Sequence, residues 1–84
     1  MVADPEFPLA ELSDEQVATL ARRLTDELSR RGSHESFAEL LRLVAYTGEQ
    51  VGTAARNLAS STSWSEVAAV TGTSKQAAWE RWRG

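Results

Sequence analysis

The side chains best suited to hydrogen-bond with another molecule lie close to the C-terminal end of this sequence. Lys75 and Gln76 are adjacent there. In the major groove of DNA a lysine donates to guanine O6 and N7, and a glutamine forms a bidentate pair with adenine. The two residues could instead form a solvated polar turn of a helix. Base contact therefore requires an element that holds both side chains outward.

Four neighbouring residues carry side chains that suit the same role. Ser74 can cap a helix and can also donate to a phosphate. Arg81 and Arg83 can bind phosphates, or they can complement the dipole at the end of a helix. Trp79 falls on the helical face of the lysine and glutamine, where an indole can pack on a thymine methyl group or a sugar, although most aromatic residues at such spacing belong to a core or an interface. The candidate DNA-binding residues are Ser74, Lys75, Gln76, Trp79, Arg81 and Arg83.

The segment before these residues predicts a short helix over about 64–71. Ser63 can cap its N-terminus. Glu66, three residues later, can complete a reciprocal capping box. The apolar face of this helix is expected to consist of Val67, Ala68 and Val70.

A tight turn and a second helix follow. Gly72 tolerates positive φ, which ends a helix at little energetic cost. Ser74 can cap a helix over about 75–83, so that Lys75 and Gln76 lie in its first turn. Two short helices joined in this way are typical of a helix-turn-helix, whose second helix enters the major groove of DNA.

The two helices and their turn follow a recurrent pattern, roughly Ser-Trp-x-x-Ile-Ala-x-x-Leu-Gly-Val-Ser-[Arg/Lys]-Gln-Ala-[Val/Ala]-x-x-Arg-[Phe/Trp]. The residues that match it are Ser63, Trp64, Val67, Ala68, Gly72, Ser74, Lys75, Gln76, Ala77, Ala78, Arg81 and Trp82. On these residues the segment resembles the helix-turn-helix modules common in actinobacterial regulators and in the promoter-reading end of sigma factors. Thr71 and Thr73 depart from the pattern, since apolar residues are usual at both positions. The resemblance covers about a quarter of the chain and implies DNA binding.

The charge of the chain is unevenly distributed. The chain has 84 residues and a net charge of −3, which is unusual for a protein that binds nucleic acid. The acidic excess lies in residues 1–50, whereas residues 51–84 carry a small basic excess. Few phosphate contacts follow, so a monomer is expected to bind DNA weakly and to lose affinity quickly as salt rises. A dimer, or a second DNA-binding domain, would supply the missing affinity.

The composition of the chain argues against several other classes of protein and of binding site. The absence of cysteine rules out disulfides and thiolate metal sites and is compatible with a reducing cytoplasm. No apolar run approaches the roughly 20 residues that span a bilayer. His34 is the only histidine, whereas a structural zinc site needs four ligands. With no Ser-His-Asp set and no phosphate-binding glycine loop, we expect no enzyme, cofactor or metal site.

A long helix is predicted on each side of Gly32. Ser13 and Gln16 can form a capping box for a helix over 14–31, which the glycine ends. Apolar residues then recur at three- and four-residue steps over 34–59, which predicts one continuous or kinked helix.

The alternative for this second helix is a break at Thr47-Gly48. Glycine inside a helix costs about 1 kcal/mol relative to alanine, so the segment could form two helices, 34–46 and 49–60. We favour the single helix because the apolar periodicity continues through the glycine.

Small and aromatic residues indicate where helices pack. Trp64 and Trp82 are expected to anchor the core. Gly48 and Gly52, extended by Ala55, form a stripe of small residues. Such a stripe permits either close packing inside the chain or the crossing of helices in a dimer.

The N-terminal segment, residues 1–12, is expected to be flexible, with 8–12 extended or irregular. Residues 3–7 read Ala-Asp-Pro-Glu-Phe. Asp-Pro and Glu-Phe are dipeptides that two common cloning sites encode, so the first seven residues are either native or left by cloning.

These elements define an all-α fold, an N-terminal helical hairpin followed by a C-terminal helix-turn-helix. The predicted segments are a flexible segment over 1–12, a hairpin and possible dimerisation element over 13–60, and the helix-turn-helix over 61–84. The two long helices are expected to run antiparallel.

The sequence favours a small bacterial transcription regulator that binds double-stranded DNA selectively. Its expected partners are DNA and either a second copy of the chain or a larger protein, in the cytoplasm and in association with the nucleoid. The alternative is a helical module that docks a protein partner and does not bind DNA, which net acidity and an exposed Trp79 would favour.

Overall fold

The computed structural model describes residues 8–84, and this range is helical and contains no strand. The all-α prediction is confirmed, and the order of the helices is compatible with a hairpin followed by a helix-turn-helix. No helix in the described range is both long enough and apolar enough to cross a membrane. The interpretation of residues 1–7 as a cloning remnant concerns residues outside the described range. The helices are a 3-10 turn at Leu9–Glu11, then α1 at Asp14–Arg31, α2 at His34–Ser61, α3 at Trp64–Thr71 and α4 at Lys75–Trp82.

The prediction of an extended or irregular segment over 8–12 is wrong for its central residues. The amide of Glu11 donates to the Pro8 carbonyl at 2.9 Å, and the amide of Leu12 donates to the Leu9 carbonyl at 3.1 Å. Proline lacks an amide proton but keeps its carbonyl, so it can precede a helical turn as well as interrupt one.

Helix α1 begins and ends where the sequence predicts. The Ser13 hydroxyl accepts from the amide of Gln16, and the Gln16 side chain accepts from the amide of Ser13, which completes the capping box. Gly32 ends the helix with φ 65°. Near this end Arg30 and Arg31 donate to the exposed Glu27 carboxylate, and these bonds hold the pKa of Glu27 below its usual range.

Helix α2 is continuous, so the single-helix prediction is confirmed and the break at Thr47-Gly48 does not occur. Its N-terminus has a reciprocal cap in which the amide of Ser36 donates to the Ser33 hydroxyl and the amide of Ser33 donates to the Ser36 hydroxyl. The helix ends two residues beyond the predicted 34–59. There the Leu58 carbonyl accepts from both the amide and the hydroxyl of Thr62.

The chain groups into two compact units, Met1–Leu41 and Arg42–Gly84, and the boundary between them falls inside α2. The predicted segments 13–60 and 61–84 divide the chain by expected function, namely dimerisation and DNA binding. That division stays a prediction. In the described part of the first unit the only buried residue is Ser36. Five of its larger apolar side chains are exposed by between 42% and 64%. Four of these lie on α1 and the beginning of α2, namely Val17, Leu24, Phe37 and Leu41.

The second unit has a small core to which α2, α3 and α4 all contribute. Four residues are buried, Ala55, Val67, Ala68 and Ala78, and Leu58, Ala59, Trp64 and Trp82 pack against them. The prediction that Trp64 and Trp82 anchor the core is therefore confirmed. The prediction for Val70 is wrong, because its side chain is 76% exposed. Trp64, Val67 and Ala68 follow the three- and four-residue spacing of one helical face, and Val70 lies outside that face.

Candidate nucleic-acid interface

The turn between α3 and α4 has the predicted bend. Gly72 has φ 75°, in the left-handed region that favours glycine. The amides of Gly72 and Thr73 both donate to the Ala68 carbonyl, at 2.8 and 3.1 Å, and this ends α3. At the other end of α3 the amide of Glu66 donates to the Ser63 hydroxyl at 3.2 Å. The cap is confirmed, but the returning bond from the Glu66 side chain does not form, so the capping box is only half made.

The two threonines that depart from the recurrent pattern lie on the surface of the turn. Both Thr71 and Thr73 are exposed, and their hydroxyl oxygens lie 3.0 Å apart. The Thr71 hydroxyl also donates to the Val67 carbonyl at 3.1 Å. An apolar residue at either position would have little burial to gain, so the departures leave the core between the helices intact.

Ser74 caps α4 as predicted. Its hydroxyl accepts from the amide of Ala77 at 3.1 Å, and its carbonyl accepts from the amide of Ala78 at 3.0 Å. A serine hydroxyl that accepts one bond still has its own proton to donate. The cap therefore explains Ser74 fully and is compatible with an additional bond from Ser74 to a phosphate.

Helix α4 has one buried side and one exposed side. Ala78 is 1% exposed, and Trp82, four residues later, is half-buried on the same side. Lys75 and Gln76 are exposed in the first turn. The side chains that share the outward face with Gln76, at three-, four- and seven-residue spacing, are Trp79, Glu80 and Arg83.

The two C-terminal arginines stack on different tryptophans. The guanidinium carbon of Arg83 lies 4.8 Å from the centroid of the Trp79 ring, on the outward face. That of Arg81 lies 5.3 Å from the centroid of the half-buried Trp82 ring. Trp79 is 41% exposed and does not belong to the core. Its indole and the Arg83 guanidinium therefore form one exposed aromatic and cationic surface.

Glu80 also belongs to this face, although the sequence reasoning did not single it out. Its carboxylate oxygen Oε2 accepts from Gln76 Nε2 at 2.8 Å. The four-residue spacing of Gln76 and Glu80 indicates this contact, because residues four apart on a helix are neighbours. A carboxylate among basic and amide groups repels anions, and it therefore affects which ligands this face of α4 can bind.

Arg56 of α2 contacts the end of α4, and this contact was also not predicted. Its Nη1 donates to the Trp82 carbonyl at 3.1 Å. A Cβ atom on Gly52 would lie 3.4 Å from that Nη1 and 3.8 Å from Cδ1 of Trp82. The small-residue stripe thus contributes to packing inside the second unit at Gly52 and Ala55. Gly48 has open space around it.

The candidate face carries no metal-binding arrangement. Within residues 8–84 no group of three or more histidine, cysteine, aspartate or glutamate side chains is placed to hold a metal ion.

Comparison of the chain with protein-family models, with curated proteins and with solved structures gives no match. The exposed side chains of α4, and the turn that presents them, are the features of this chain that bear on its function.

Proposed function

We propose that the protein binds double-stranded DNA selectively, as a small transcription regulator, with α4 in the major groove. The observation that carries the proposal is the exposure of Lys75 and Gln76 in the first turn of a separate, serine-capped helix after the Gly72 turn. A helix of this kind brings its N-terminal side chains to base edges. Arg81, Arg83 and Ser74 are the candidates for phosphate contacts, and Trp79 is the candidate for contact with a thymine methyl group or a sugar.

We further propose that a second copy of the chain completes the DNA-binding species. The basic excess near α4 is small, and the protein as a whole is acidic. A single copy would therefore neutralise few phosphates. Two copies related by a two-fold axis would place two α4 helices on half-sites about 34 Å apart, and the preferred DNA would be roughly palindromic. Such a regulator would work in the bacterial cytoplasm, in association with the nucleoid.

The double substitution K75A/Q76A tests the role of α4 directly. We expect it to abolish a gel shift with duplex DNA and to leave the melting temperature unchanged, because both side chains are exposed and alanine favours helix. The matched control is R22A/Q50A, which also removes one cation and one amide, from exposed positions of α1 and α2. The control should retain DNA binding. The assay is run at about 50 mM and about 200 mM salt, where phosphate-dominated binding differs strongly.

Two results would contradict the proposal. If K75A/Q76A and the control shift the same duplexes equally, α4 does not contact the bases. If the parent protein shifts no duplex even at low salt, the protein does not bind DNA. The second result would favour the alternative function.

The alternative is a module that docks a protein partner, and an apolar groove in the second unit favours it. The groove has a volume of about 210 Å³ and is lined almost entirely by apolar side chains. Two of its lining residues, Val51 and Val70, are 49% and 76% exposed. The lining residues are Val51, Ala54, Ala55, Leu58, Val67, Val70, Thr71 and Trp82.

A further inference from the structure

An acidic side chain lies in the middle of the outward face of α4. Glu80 is exposed, and it is one turn after Gln76 and three residues before Arg83. A carboxylate at this place repels phosphate and so weakens any general attraction to DNA. Its Oε2 atom accepts a hydrogen bond from Gln76 Nε2 at 2.8 Å. This hydrogen bond links the Glu80 carboxylate directly to the Gln76 amide.

The carboxylate determines which end of the Gln76 amide faces it. An ionised carboxylate only accepts hydrogen bonds, whereas the amide has an oxygen that accepts and a nitrogen with two protons to donate. If the amide turned over, Oε1 of Gln76 would face the carboxylate, and two acceptors would oppose each other. Glu80 therefore holds Nε2 toward itself. This leaves Oε1 and the second Nε2 proton of Gln76 available to a ligand.

One acceptor beside one donor matches a single base in the major groove. Adenine offers the N6 amino group as a donor and N7 as an acceptor, whereas guanine offers two acceptors. Cytosine offers only its N4 donor, and thymine offers the O4 acceptor beside a methyl group. We propose that Glu80 is a positioning residue that orients Gln76 to select adenine. The inference rests on the proposed binding of DNA by α4.

The test is a selection from a pool of randomised duplexes, performed with the parent protein and with E80Q. Glutamine at position 80 has nearly the same shape as glutamate, but it can donate as well as accept. Gln76 can then adopt both amide orientations. The matched control is E66Q, which removes one negative charge from an exposed position of α3. Melting curves verify that both variants are folded.

We expect the parent protein to select duplexes with an A·T pair at one position of each half-site. E80Q should lose about tenfold in preference for adenine at that position and keep its preferences elsewhere, since a good bidentate contact discriminates between bases by about this factor or more. E66Q should bind all duplexes somewhat more tightly and keep the adenine preference. The difference between E80Q and E66Q therefore distinguishes an effect of Gln76 orientation from an effect of the lost charge alone.

A cycle with Q76A tests whether Glu80 acts through Gln76. Once Gln76 is alanine, adding E80Q should not change the base preference further, because no amide remains to be oriented. A residue with a merely structural role would change the preference by a similar factor in both backgrounds.

The outcomes separate this inference from the proposed function. If the parent protein binds no duplex, the DNA-binding proposal and the inference both fail. If it selects a motif and E80Q selects the same motif with the same weights, only the inference is overturned. Selection of a base other than adenine at the position sensitive to Q76A would also overturn the inference alone.

Discussion

Gly72 is the residue on which the separation of α3 from α4 depends. Its φ of 75° places it in the region where an L side chain clashes with its own backbone. A Cβ atom at this position would meet no other atom within 4 Å. Any loss of stability on substitution therefore reports the backbone conformation alone. Gly48 also has open space around it, but it lies inside α2.

We predict that G72A and G48A change stability in opposite directions. G72A should lower the free energy of unfolding by about 1–2 kcal/mol, because alanine at positive φ is strained. G48A should raise it by up to about 1 kcal/mol, because alanine favours helix over glycine. Denaturant titrations followed by circular dichroism measure both values. A loss of stability in G48A similar to that in G72A would contradict the described backbone at these two positions.

At the scale of elements, α4 is held at both ends by contacts of different origin. Its N-terminus is capped by Ser74, its immediate neighbour in the chain. Its C-terminus receives a hydrogen bond from Arg56, on α2. The positive charge of Arg56 also complements the negative end of the helix dipole. The position of α4 therefore depends on a residue distant in sequence, and that position decides which side chains face outward.

R56A tests the C-terminal contact. We predict that it lowers the free energy of unfolding by about 1 kcal/mol, because the Trp82 carbonyl loses a charged donor. The adjacent substitution N57A serves as the control, since Asn57 is exposed on the same helix, and it should cause no loss. Thermal or denaturant unfolding followed by circular dichroism distinguishes the two. Equal stability of R56A and N57A would show that the hydrogen bond from Arg56 to the Trp82 carbonyl does not stabilise the position of α4.

The caps and the turn were predictable from the sequence because each depends on a few consecutive residues. Ser13, Ser63 and Ser74 all accept from the amide three residues later, as the capping patterns indicate. Two expectations failed because local patterns do not decide them. Whether Glu66 completes the capping box depends on the rotamer of its own side chain. The exposure of Val70 depends on where α2 packs against α3.

At the scale of the whole molecule, the described part of the first unit carries several exposed apolar side chains. Val17, Leu24, Phe37 and Leu41 are all exposed, and no apolar residue in the described part of this unit is buried. Isolated helices are marginally stable in water and gain most of their stability from packing of an apolar face. A second copy that covers this surface would stabilise α1 and the start of α2.

The double substitution L24E/F37E tests this arrangement. We predict that the parent protein sediments as a dimer at micromolar concentration and that the variant sediments as a monomer, because two charges would be placed in the apolar contact. V70E is the control, since Val70 is exposed on α3 in the second unit. Sedimentation equilibrium measures the mass of each protein. A monomeric parent, or a dimeric L24E/F37E, would exclude this surface as the dimer interface.

The sequence by itself determined the four α-helices, the serine caps of α1, α3 and α4, and the turn at Gly72. Hydrogen bonds to the next few residues and the steric limits on φ act along the chain, and they can be recognised without knowledge of distant contacts. Tertiary structure decided that Val70 of α3 is exposed while Val67 and Ala68 of the same helix are buried. It also placed Arg56 at the end of α4. Burial and such contacts depend on residues far apart in the sequence, and only packing brings these residues together.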